Sequence, residues 1–483
     1  MKFHIIGVPE KNIRIALLKL LKAFEPHHEI VSDKFDYMVY IATIIYEKEV
    51  KVFLKCDNVI IERTTEIISN VAYDKKYLIL VVFYQLLVKL TNKKLSYGVL
   101  TGIRPTKLVH HYKKSFSDEI VLSILQNKYL ISHEKAKLLL TVVNNQYHMI
   151  KDFEALTKDV SVYINIPFCL SRCSYCSFTS YPSDYKKVTR QEYLKTLFKE
   201  IEEIGHFLRM KKINITTIYI GGGTPTVLND EELYDLLYKI ESSLVDDLVL
   251  EYTLECGRPD TITKSKLEII NQFSVSRISI NPQTFNENTL FAINRKHTIK
   301  DILDNYKQAR ALGMENINMD LIIGLPNENL DDYINSIDQT IQLLPESITI
   351  HYLARKKGSK LYNEEINNHT DDYFKLFAYA YEILKRENYN PYYLYRQKNI
   401  SGNLENIGYC QKGYESLYNI LMIEEAQTII GLGCASSSKF LNHKIILNPK
   451  DLISYIKSHE IYLNKKIKGL EETLLKVEEN NYE

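Results

Sequence analysis

The 483-residue chain has no excess of charge of either sign, since 61 lysine and arginine residues are balanced by 60 aspartate and glutamate residues and the net charge is +1. This balance excludes a global electrostatic field that would recruit nucleic acid or an anionic membrane, and we expect neither partner. Tryptophan is absent, and cysteine is scarce with 7 residues. Hydrophobic residues at 45% and charged residues at 25% are typical of an ordinary globular protein.

Long apolar runs are absent as well. The most hydrophobic segment, 77–90, is about 14 residues long and includes Gln85 and Lys89, whereas a membrane-spanning helix needs about 20 apolar residues. This segment predicts a buried helix instead. The N-terminal stretch breaks its first apolar run at 7–9 and has no small-residue cleavage site, which argues against a secretory signal. We therefore predict a cytoplasmic protein, in which thiols stay reduced and disulfides are not the default.

Short β-branched runs alternate with amphipathic helical patterns from Val160 onward, which is typical of βα units on a parallel sheet. The alternation predicts an α/β fold centred on a partial (β/α)6 barrel over residues 158–370. Residues 1–150 mix strand-like and helical patterns and predict an α+β domain of unknown role. Residues 371–483 predict a C-terminal α+β domain that covers one face of the barrel. The predicted barrel strands are 160–168, 215–223, 247–256, 275–283, 315–325 and 347–354.

Polar, glycine and cysteine residues fall at the ends of these predicted strands. The cysteine loop follows the first strand, and a run of three glycines ends the second. Glu255 and Gln283 lie at the ends of the third and fourth strands, and Asp320 lies in the fifth. Because functional groups of such barrels gather at the C-terminal ends of the strands, we expect these residues to share one site.

The stretch YINIPFCLSRCSYC carries Cys169, Cys173 and Cys176 in the spacing C-x3-C-x2-C, directly after the first predicted strand. A structural zinc site normally uses four protein ligands, and the loop offers no fourth cysteine or histidine. Three thiolates on one loop suit a [4Fe-4S] cluster that leaves one iron open to a substrate or cofactor. Zinc completed by a distant residue stays open as the alternative. Three other cysteines are predicted to be buried or incidental thiols: Cys256, Cys410 and Cys434.

The second predicted strand ends in a Gly-Gly-Gly-Thr-Pro-Thr turn. The turn consists of Gly221, Gly222, Gly223, Thr224 and the two residues after them. Glycines remove Cβ atoms, so backbone groups can approach a bound zwitterion closely and exchange hydrogen bonds with it. The structural interpretation of the same turn is a tight strand-to-helix connection with proline at a helix start.

The cysteine loop, with the aromatic Tyr175 before its third cysteine, and the glycine turn together resemble the radical S-adenosylmethionine (SAM) superfamily. The resemblance implies a radical SAM barrel in which Cys169, Cys173 and Cys176 ligate a [4Fe-4S] cluster. It also implies that the amine and carboxylate of SAM bind the open iron, beside the glycine turn. Reductive cleavage of SAM to a 5′-deoxyadenosyl radical is the chemistry that this resemblance implies.

Further residues resemble the oxygen-independent coproporphyrinogen III oxidase (dehydrogenase) branch of that superfamily. In this branch, the residues corresponding to Glu255 and Arg295 contact the amino-acid end of SAM, and those corresponding to Gln283 and Asp320 bind its ribose hydroxyls. Tyr163 corresponds to a residue beside the cluster. These residue types suit such roles, because carboxylates accept from an ammonium or a diol and a guanidinium pairs with a carboxylate.

The segments LTGIRPTKLVH, YYLYRQKN with GNLENIGY, and TIIGLG resemble a longer, HemZ-type branch of the family. The implied reaction is oxidative decarboxylation of coproporphyrinogen III, which converts propionates to vinyl groups in heme biosynthesis. The implied partners are a small-molecule tetrapyrrole substrate and a reductive electron donor such as flavodoxin or ferredoxin.

The chain departs from this family at the end of the cysteine motif. The established coproporphyrinogen enzymes extend it to C-x3-C-x2-C-x-C, whereas Ser177 and Phe178 follow Cys176 here. Related heme chaperones resemble the chain in this respect, so a heme-binding relative without coproporphyrinogen activity stays open as the alternative. Those chaperones carry a His-Asn-x-x-Tyr-Trp heme motif, which a chain without tryptophan lacks. Modification of RNA is a third alternative, which the neutral charge balance does not support.

A porphyrinogen carries several propionates, so its site should offer arginine or lysine among apolar and aromatic walls. Arg104 in the turn TGIRPT, the triplet 355–357 (Arg-Lys-Lys) and Arg396 among the tyrosines of YYLYRQKN are candidates. Each also has a structural interpretation as a capping, solvated or strand residue. His351 in the sixth strand is a candidate proton donor or acceptor, with a satisfied core histidine as its other interpretation.

Overall fold

The computed structural model describes residues 2–6, 10–24, 29–30, 37–46, 49–56, 59–66, 71–150, 153–185, 187–354, 356, 358–363, 370–397 and 404–480. The chain divides into two compact units, Met1–Val143 and Asn144–Glu483. The N-terminal unit is α+β, as predicted, and the second unit contains all the predicted barrel strands. A separate C-terminal domain that begins at residue 371 stays a prediction.

The N-terminal unit contains a five-stranded sheet of order β2-β1-β3-β4-β5. Strands β1, β2 and β3 pair in parallel, and β3, β4 and β5 pair as antiparallel neighbours. The predicted apolar helix is confirmed as part of α2, whose residues between Leu78 and Leu87 are buried except at Gln85. The elements are β1 (Lys2–Ile6), α1 (Lys11–Phe24), β2 (Glu29–Ile30), β3 (Tyr37–Tyr46), β4 (Glu49–Cys56), β5 (Val59–Glu66), α2 (Val71–Thr91), α3 (Thr106–Lys113), α4 (Asp118–Asn127) and α5 (His133–Met149), the last of which contains the boundary between the units.

The second unit begins with the predicted alternation of strands and helices. Asn229, Thr298 and Asn329 form capping boxes at the starts of three of these helices, so side chains satisfy the first backbone N–H groups there. The elements are β6 (Val160–Ile166), β7 (Phe168–Cys169), β8 (Tyr181–Pro182), α6 (Lys187–Lys211), β9 (Ile215–Gly222), α7 (Asp230–Leu244), β10 (Glu251–Gly257), α8 (Lys264–Ile270), β11 (Arg277–Ile280), α9 (Glu287–Ala292), α10 (Ile299–Ala311), β12 (Ile317–Ile323), α11 (Leu330–Gln342), β13 (Ser347–Tyr352), α12 (Thr370–Arg386), β14 (Asn390–Arg396), β15 (Glu405–Cys410), α13 (Leu417–Glu424), β16 (Thr428–Leu432), β17 (Ser437–Lys439), β18 (Ile445–Leu447) and α14 (Leu452–Asn480).

The six predicted barrel strands are confirmed as β6, β9, β10, β11, β12 and β13, which lie side by side in chain order and pair in parallel. Their residues are buried almost throughout, as expected for parallel strands covered on both faces. Among the described residues, no helix is long and apolar enough to cross a membrane.

The C-terminal part of the chain extends both edges of this sheet, which the sequence analysis did not predict. Strand β16 pairs in parallel with β6, with Thr428 opposite Val160, and continues into the antiparallel β17 and β18. At the other edge, β15 pairs antiparallel with β13 and β14 pairs antiparallel with β15. In the described part of the chain the sheet therefore has eleven strands, and the barrel strands are its central part.

A buried ion pair connects α6, α14 and the end of β16. Glu200 and Lys466 contact each other through a salt bridge, and both side chains are fully buried. Glu200 also accepts from the backbone N–H of Gly433 at 2.8 Å and from the hydroxyl of Tyr455 at 2.6 Å. Burial alone would raise the pKa of Glu200. The charge and the hydrogen bond of Lys466 outweigh this effect, so the net pKa lies below the usual value.

We predict that K466M destabilises this unit by about 3–5 kcal/mol, because it leaves the Glu200 carboxylate buried without its cation. The measurement is urea denaturation followed by circular dichroism. K199M is the matched control: Lys199 pairs with Glu460 at 2.7 Å across the same two helices, but the two side chains are 49% and 67% exposed, so its loss should change little. Equal effects of the two substitutions would contradict the prediction.

Candidate active site

The three motif cysteines lie on the segment that runs from the last residue of β7 to the start of β8. Cys169 ends β7, and the backbone N–H of Cys176 donates to the carbonyl of Cys173 at 3.1 Å, which closes a turn around the second and third cysteines. Cys173 is buried, and the other two are half-buried. Burial raises the pKa of the Cys169 and Cys176 thiols above the usual value.

Hydrogen bonds to the residues after α9 fix this loop against the barrel. The backbone N–H of Ser174 donates to the carbonyl of Ile293 at 3.1 Å, and the hydroxyl of Ser171 donates to the carbonyl of Asn294 at 3.0 Å. The side-chain amide of Asn294 donates a hydrogen bond to the carbonyl of Arg172 at 2.9 Å. The conformation of the cysteine loop is therefore set by the same segment that leads to Arg295.

The donor set fits an iron–sulfur cluster. Among the described residues, no group of three His, Cys, Asp or Glu side chains is already arranged as the ligands of a single metal ion. The loop offers three thiols, which as thiolates are the ligands of iron–sulfur clusters. The chemistry of the donor set therefore fits a cluster with three protein ligands.

The glycine turn lies where larger residues would collide with the site. A Cβ on Gly221 would lie 2.6 Å from Oε2 of Glu255, and a Cβ on Gly223 would lie 2.4 Å from the carbonyl oxygen of Phe168. Gly222 has a φ of +108°, a conformation that favours glycine. The turn thus needs glycine for close approach as well as for its backbone conformation.

Thr224 connects the glycine turn to the cysteine loop. Its backbone N–H donates to the carbonyl of Phe168 at 2.8 Å, and its hydroxyl lies 3.5 Å from Sγ of Cys169. The structure therefore brings the first cysteine and the glycine turn together, as the sequence analysis expected of these two motifs.

Tyr163 on β6 belongs to a stack of three tyrosines with Tyr219 on β9 and Tyr418 on α13. Its ring lies 6.1 Å from that of Tyr219 and 6.4 Å from that of Tyr418, and Tyr219 and Tyr418 stack at 4.6 Å. Burial, followed by the charge of Glu255, raises the pKa of the Tyr163 hydroxyl. Tyr163 therefore lies among the neighbours of Glu255, within this aromatic stack.

Glu255 is a buried carboxyl group in a field of mixed sign. Burial and the neighbouring charge of Asp320 raise its pKa to about 8, and Arg277, a backbone hydrogen bond from Gly222 and Arg295 oppose this shift. Such a group is poised to lose its proton when a cationic partner binds, which suits the expected contact with an ammonium group.

Gln283 is held in a left-handed backbone conformation, with a φ of +68°. Its backbone N–H donates to the carbonyl of Asp320 at 2.9 Å, and its side-chain Oε1 accepts from the hydroxyl of Tyr175 at 3.0 Å. Left-handed backbone in a residue other than glycine is costly and needs support from its surroundings. The hydrogen bonds to β12 and to the cysteine loop supply that support.

Arg295 is buried, and its guanidinium is oriented by three acceptors. Nη1 donates to the hydroxyl of Tyr175 at 3.0 Å, while Nη2 donates to the carbonyls of Gly257 at 3.0 Å and Asn281 at 2.8 Å. Tyr175 therefore links Arg295 to Gln283 within one hydrogen-bond network. The sequence singled out each of these three residues but did not predict that they contact one another.

Asp320 contacts two further polar side chains. Its Oδ1 accepts from the side-chain amide of Asn318 at 2.7 Å, and its Oδ2 lies 3.7 Å from Nε2 of His351, whose Nδ1 lies 3.3 Å from the hydroxyl of Tyr395. Burial alone would raise the pKa of Asp320. The hydrogen bond and the charge of His351 outweigh this effect, so the net pKa lies below the usual value. The His351 side chain is 26% exposed and adjoins the proposed cofactor residues.

The candidate substrate residues are dispersed. Arg104 precedes α3 in the N-terminal unit, and Arg396 is a buried residue at the end of β14. Lys356 lies near the cysteine loop, with Nζ 5.8 Å from the ring centre of Phe178. Its neighbours in the triplet, residues 355 and 357, lie outside the described residues. The structure brings Lys356 and His351 to the strand ends, and their substrate roles stay predictions.

Arg258 and Asp260 were not among the site residues predicted from the sequence. Arg258 follows β10 three residues after Glu255, and its guanidinium contacts the cysteine loop through Ser171 and through Sγ of Cys173, at 3.6 Å. Asp260 pairs with the other side of the guanidinium at 2.7 Å. The available signal was a pair of charges at a strand end next to a predicted cofactor carboxylate.

Comparison with known proteins agrees with this geometry. Residues 163–340 match the radical SAM superfamily model. The oxygen-independent coproporphyrinogen-III oxidase-like protein HemZ of Bacillus subtilis is 43% identical over 405 residues, which cover 81% of this chain and 80% of that protein. The heme chaperone HemW of Bacillus subtilis is 36% identical over 204 residues, or 42% of this chain and 52% of the chaperone.

Among solved structures, the coproporphyrinogen III oxidase HemN of Escherichia coli has a similar fold, with a TM-score of 0.52 at 18% identity over 64% of this chain and 71% of that one. Enzymes of the radical SAM superfamily use a [4Fe-4S] cluster and SAM, and these are the cofactors of this chain. The extent and identity of the HemZ match establish the family: the chain belongs to the oxygen-independent coproporphyrinogen III oxidase-like family of the radical SAM superfamily, on its HemZ-type branch.

Proposed function

We propose that the chain is an oxygen-independent coproporphyrinogen III dehydrogenase. The observation that carries the proposal is the 43% identity to the coproporphyrinogen-III oxidase-like protein HemZ over 81% of this chain. The network at the strand ends, in which the cysteine loop contacts the glycine turn through Thr224 and contacts Gln283 and Arg295 through Tyr175, supports the cofactor site. In the reaction, a propionate side chain loses one hydrogen atom, one electron and CO2, and becomes a vinyl group. A reductive electron donor such as flavodoxin or ferredoxin and a separate electron acceptor complete the proposal.

Cys169, Cys173 and Cys176 would hold the cluster, and no fourth thiol lies in the described part of their loop, so one iron would be available to SAM. When bound, the cluster and SAM supply radical chemistry that removes a hydrogen atom from an unactivated carbon. The protein contributes position and the exclusion of water. Gly221–Gly223 and Thr224 would allow the backbone to approach SAM closely.

The polar residues around the turn would orient SAM. Glu255 would accept from its ammonium group and Arg295 would pair with its carboxylate, while Gln283 and Asp320 would accept from its ribose hydroxyls. The network of Tyr175 holds Gln283 and Arg295 in place before SAM binds. Preorganisation of this kind reduces the entropy lost on binding.

The substrate's propionates require cationic or hydrogen-bonding partners near the strand ends. His351 supports this role, because its imidazole is partly exposed and lies between Asp320 and Tyr395. Lys356 is a second candidate through its position beside the cysteine loop. A soluble tetrapyrrole would thus meet both a proton donor and a cation close to the cofactor residues.

Heme binding is the second candidate function. Phe178 occupies the place of the fourth cysteine of established coproporphyrinogen enzymes, and its side chain is 62% exposed next to the cluster loop. Several relatives in this comparison are heme chaperones, which include HemW of Escherichia coli at 27% identity over 58% of this chain. The activity measurement therefore has to distinguish heme transfer from coproporphyrinogen III decarboxylation.

We predict that reduced, reconstituted protein incubated anaerobically with SAM and coproporphyrinogen III yields 5′-deoxyadenosine together with decarboxylated vinyl products, detected by mass spectrometry. Production of both should depend on the substrate, and heat-denatured protein is the control. Cleavage of SAM without tetrapyrrole conversion would contradict the dehydrogenase proposal. Stoichiometric binding in a parallel titration with hemin would then favour the chaperone function.

We predict that C173A loses bound iron and sulfide after anaerobic reconstitution, because a buried ligand is removed from the cluster. Iron and sulfide analysis with the visible absorption spectrum measures the effect. C410A is the matched control: Cys410 is also buried but ends β15, where it lies opposite Ser347 at the other end of the barrel strands. Retention of iron by C173A, or its loss from C410A, would contradict the ligand assignment.

We predict that the affinity for SAM rises by about tenfold per pH unit between pH 6 and 7.5, because the pKa of Glu255 is about 8 and only its ionised form accepts from an ammonium. The amine of SAM is protonated over most of this range. Equilibrium dialysis of the reconstituted protein measures the affinity. E255Q should bind more weakly and lose this slope, whereas H351Q should keep it, and an unchanged slope in E255Q would refute the role of Glu255.

A further inference from the structure

Arg258 reaches the cysteine loop from the end of β10. Its Nη1 donates to the carbonyl of Ser171 at 2.9 Å and to the hydroxyl of the same residue at 3.0 Å, and it lies 3.6 Å from Sγ of Cys173. Only 4% of the Arg258 side chain is exposed. A buried cation therefore lies in direct contact with the most buried of the three motif thiols.

The guanidinium is fixed in this position from its other side. Nε donates to Oδ1 of Asp260 at 2.9 Å and Nη2 donates to Oδ2 at 2.7 Å, which is a bidentate pair. The carbonyl of Arg258 accepts from the backbone N–H of Thr261 at 3.0 Å and from its hydroxyl at 2.8 Å. Asp260 thus leaves Nη1 for the cysteine loop and prevents rotation of the guanidinium away from it.

Hydrogen bonds and positive charge at a ligand sulfur stabilise the more negative, reduced state of an iron–sulfur cluster. An arginine supplies both at every accessible pH, because its guanidinium is always protonated. The effect is large where water is excluded, as it is at Arg258 and Cys173. The arrangement therefore favours reduction of a cluster held by this loop.

We propose that Arg258 sets the reduction potential of the cluster by donating a hydrogen bond to Sγ of Cys173, and that Asp260 holds the guanidinium in place for this purpose. The inference rests on the proposed role of Cys173 as a ligand and is independent of the tetrapyrrole substrate. Arg258 acts through the ligand sulfur and is a positioning residue. It would make the cluster easier to reduce by the electron donor.

The experiment compares D260N with the double variant R258Q/D260N. Loss of Arg258 alone would leave the Asp260 carboxylate, whose side chain is only 13% exposed, without its cation, so the double variant avoids a folding defect. Both proteins and the wild type are reconstituted anaerobically, and iron, sulfide and thermal melting are measured. The reduction potential is then determined by redox titration monitored by electron paramagnetic resonance, without SAM or tetrapyrrole.

We expect D260N to have a potential at or above that of the wild type, because a negative charge near the cluster is removed while the asparagine oxygen still accepts from the guanidinium and keeps it oriented. R258Q/D260N should have a lower potential than D260N, with at least about a tenfold smaller equilibrium constant for reduction, or about 59 mV for one electron. R258K/D260N should lie between D260N and R258Q/D260N, because lysine keeps the charge but loses the fixed fork of donors.

Equal potentials in D260N and R258Q/D260N, with full iron in both, would overturn the inference and leave the cysteine assignment intact. Loss of iron from R258Q/D260N alone, with unchanged melting, would also overturn it, since Arg258 would then support the loop and not the potential. Absence of a cluster from the wild type after reconstitution would overturn the cysteine assignment and this inference with it.

Discussion

The parallel register of the barrel strands is the constraint on which the site depends. Ile166 lies opposite Gly222 across β6 and β9, and Asp320 lies opposite Thr349 across β12 and β13. This register brings the cysteine loop beside the glycine turn and directs Glu255 toward Asp320. Because side chains alternate between the faces of a strand, a slip of one residue would move a site carboxylate into the helical layer. The chemistry of the site thus follows from strand pairing.

Much of the fold and part of the site could be predicted from the sequence. The six barrel strands gave a clear signal, because β-branched runs alternated with amphipathic helices. The loop of Cys169, Cys173 and Cys176 and the glycine turn were visible because their residue types and spacings are rare. In the structure the loop and the turn lie together, as expected, because parallel strands place their C-terminal ends at one edge of the sheet.

Other features depend on contacts between residues that are far apart in the sequence, which no local sequence pattern predicts. The pairing of β16 with β6 joins residues far apart in sequence, and a short apolar run does not specify its partner. Arg258 could equally have been a surface residue, because its contact with Cys173 depends on the path of the chain after β10. Gln283 gave no sign of its left-handed backbone, since tertiary hydrogen bonds stabilise it. The roles of individual side chains toward cofactor and substrate stay predictions for the same reason.

The pairing of Val160 with Thr428 has a consequence for how the protein is made. During synthesis, β6 emerges long before β16, so one edge of this strand has no native partner until most of the chain has left the ribosome. Unpaired strand edges are prone to association with other chains. The cysteine loop directly follows β6, and non-local pairing of this kind is slow to form. The strand that leads into the cysteine loop therefore acquires its neighbour at this edge only after the segment up to Leu432 has been synthesised.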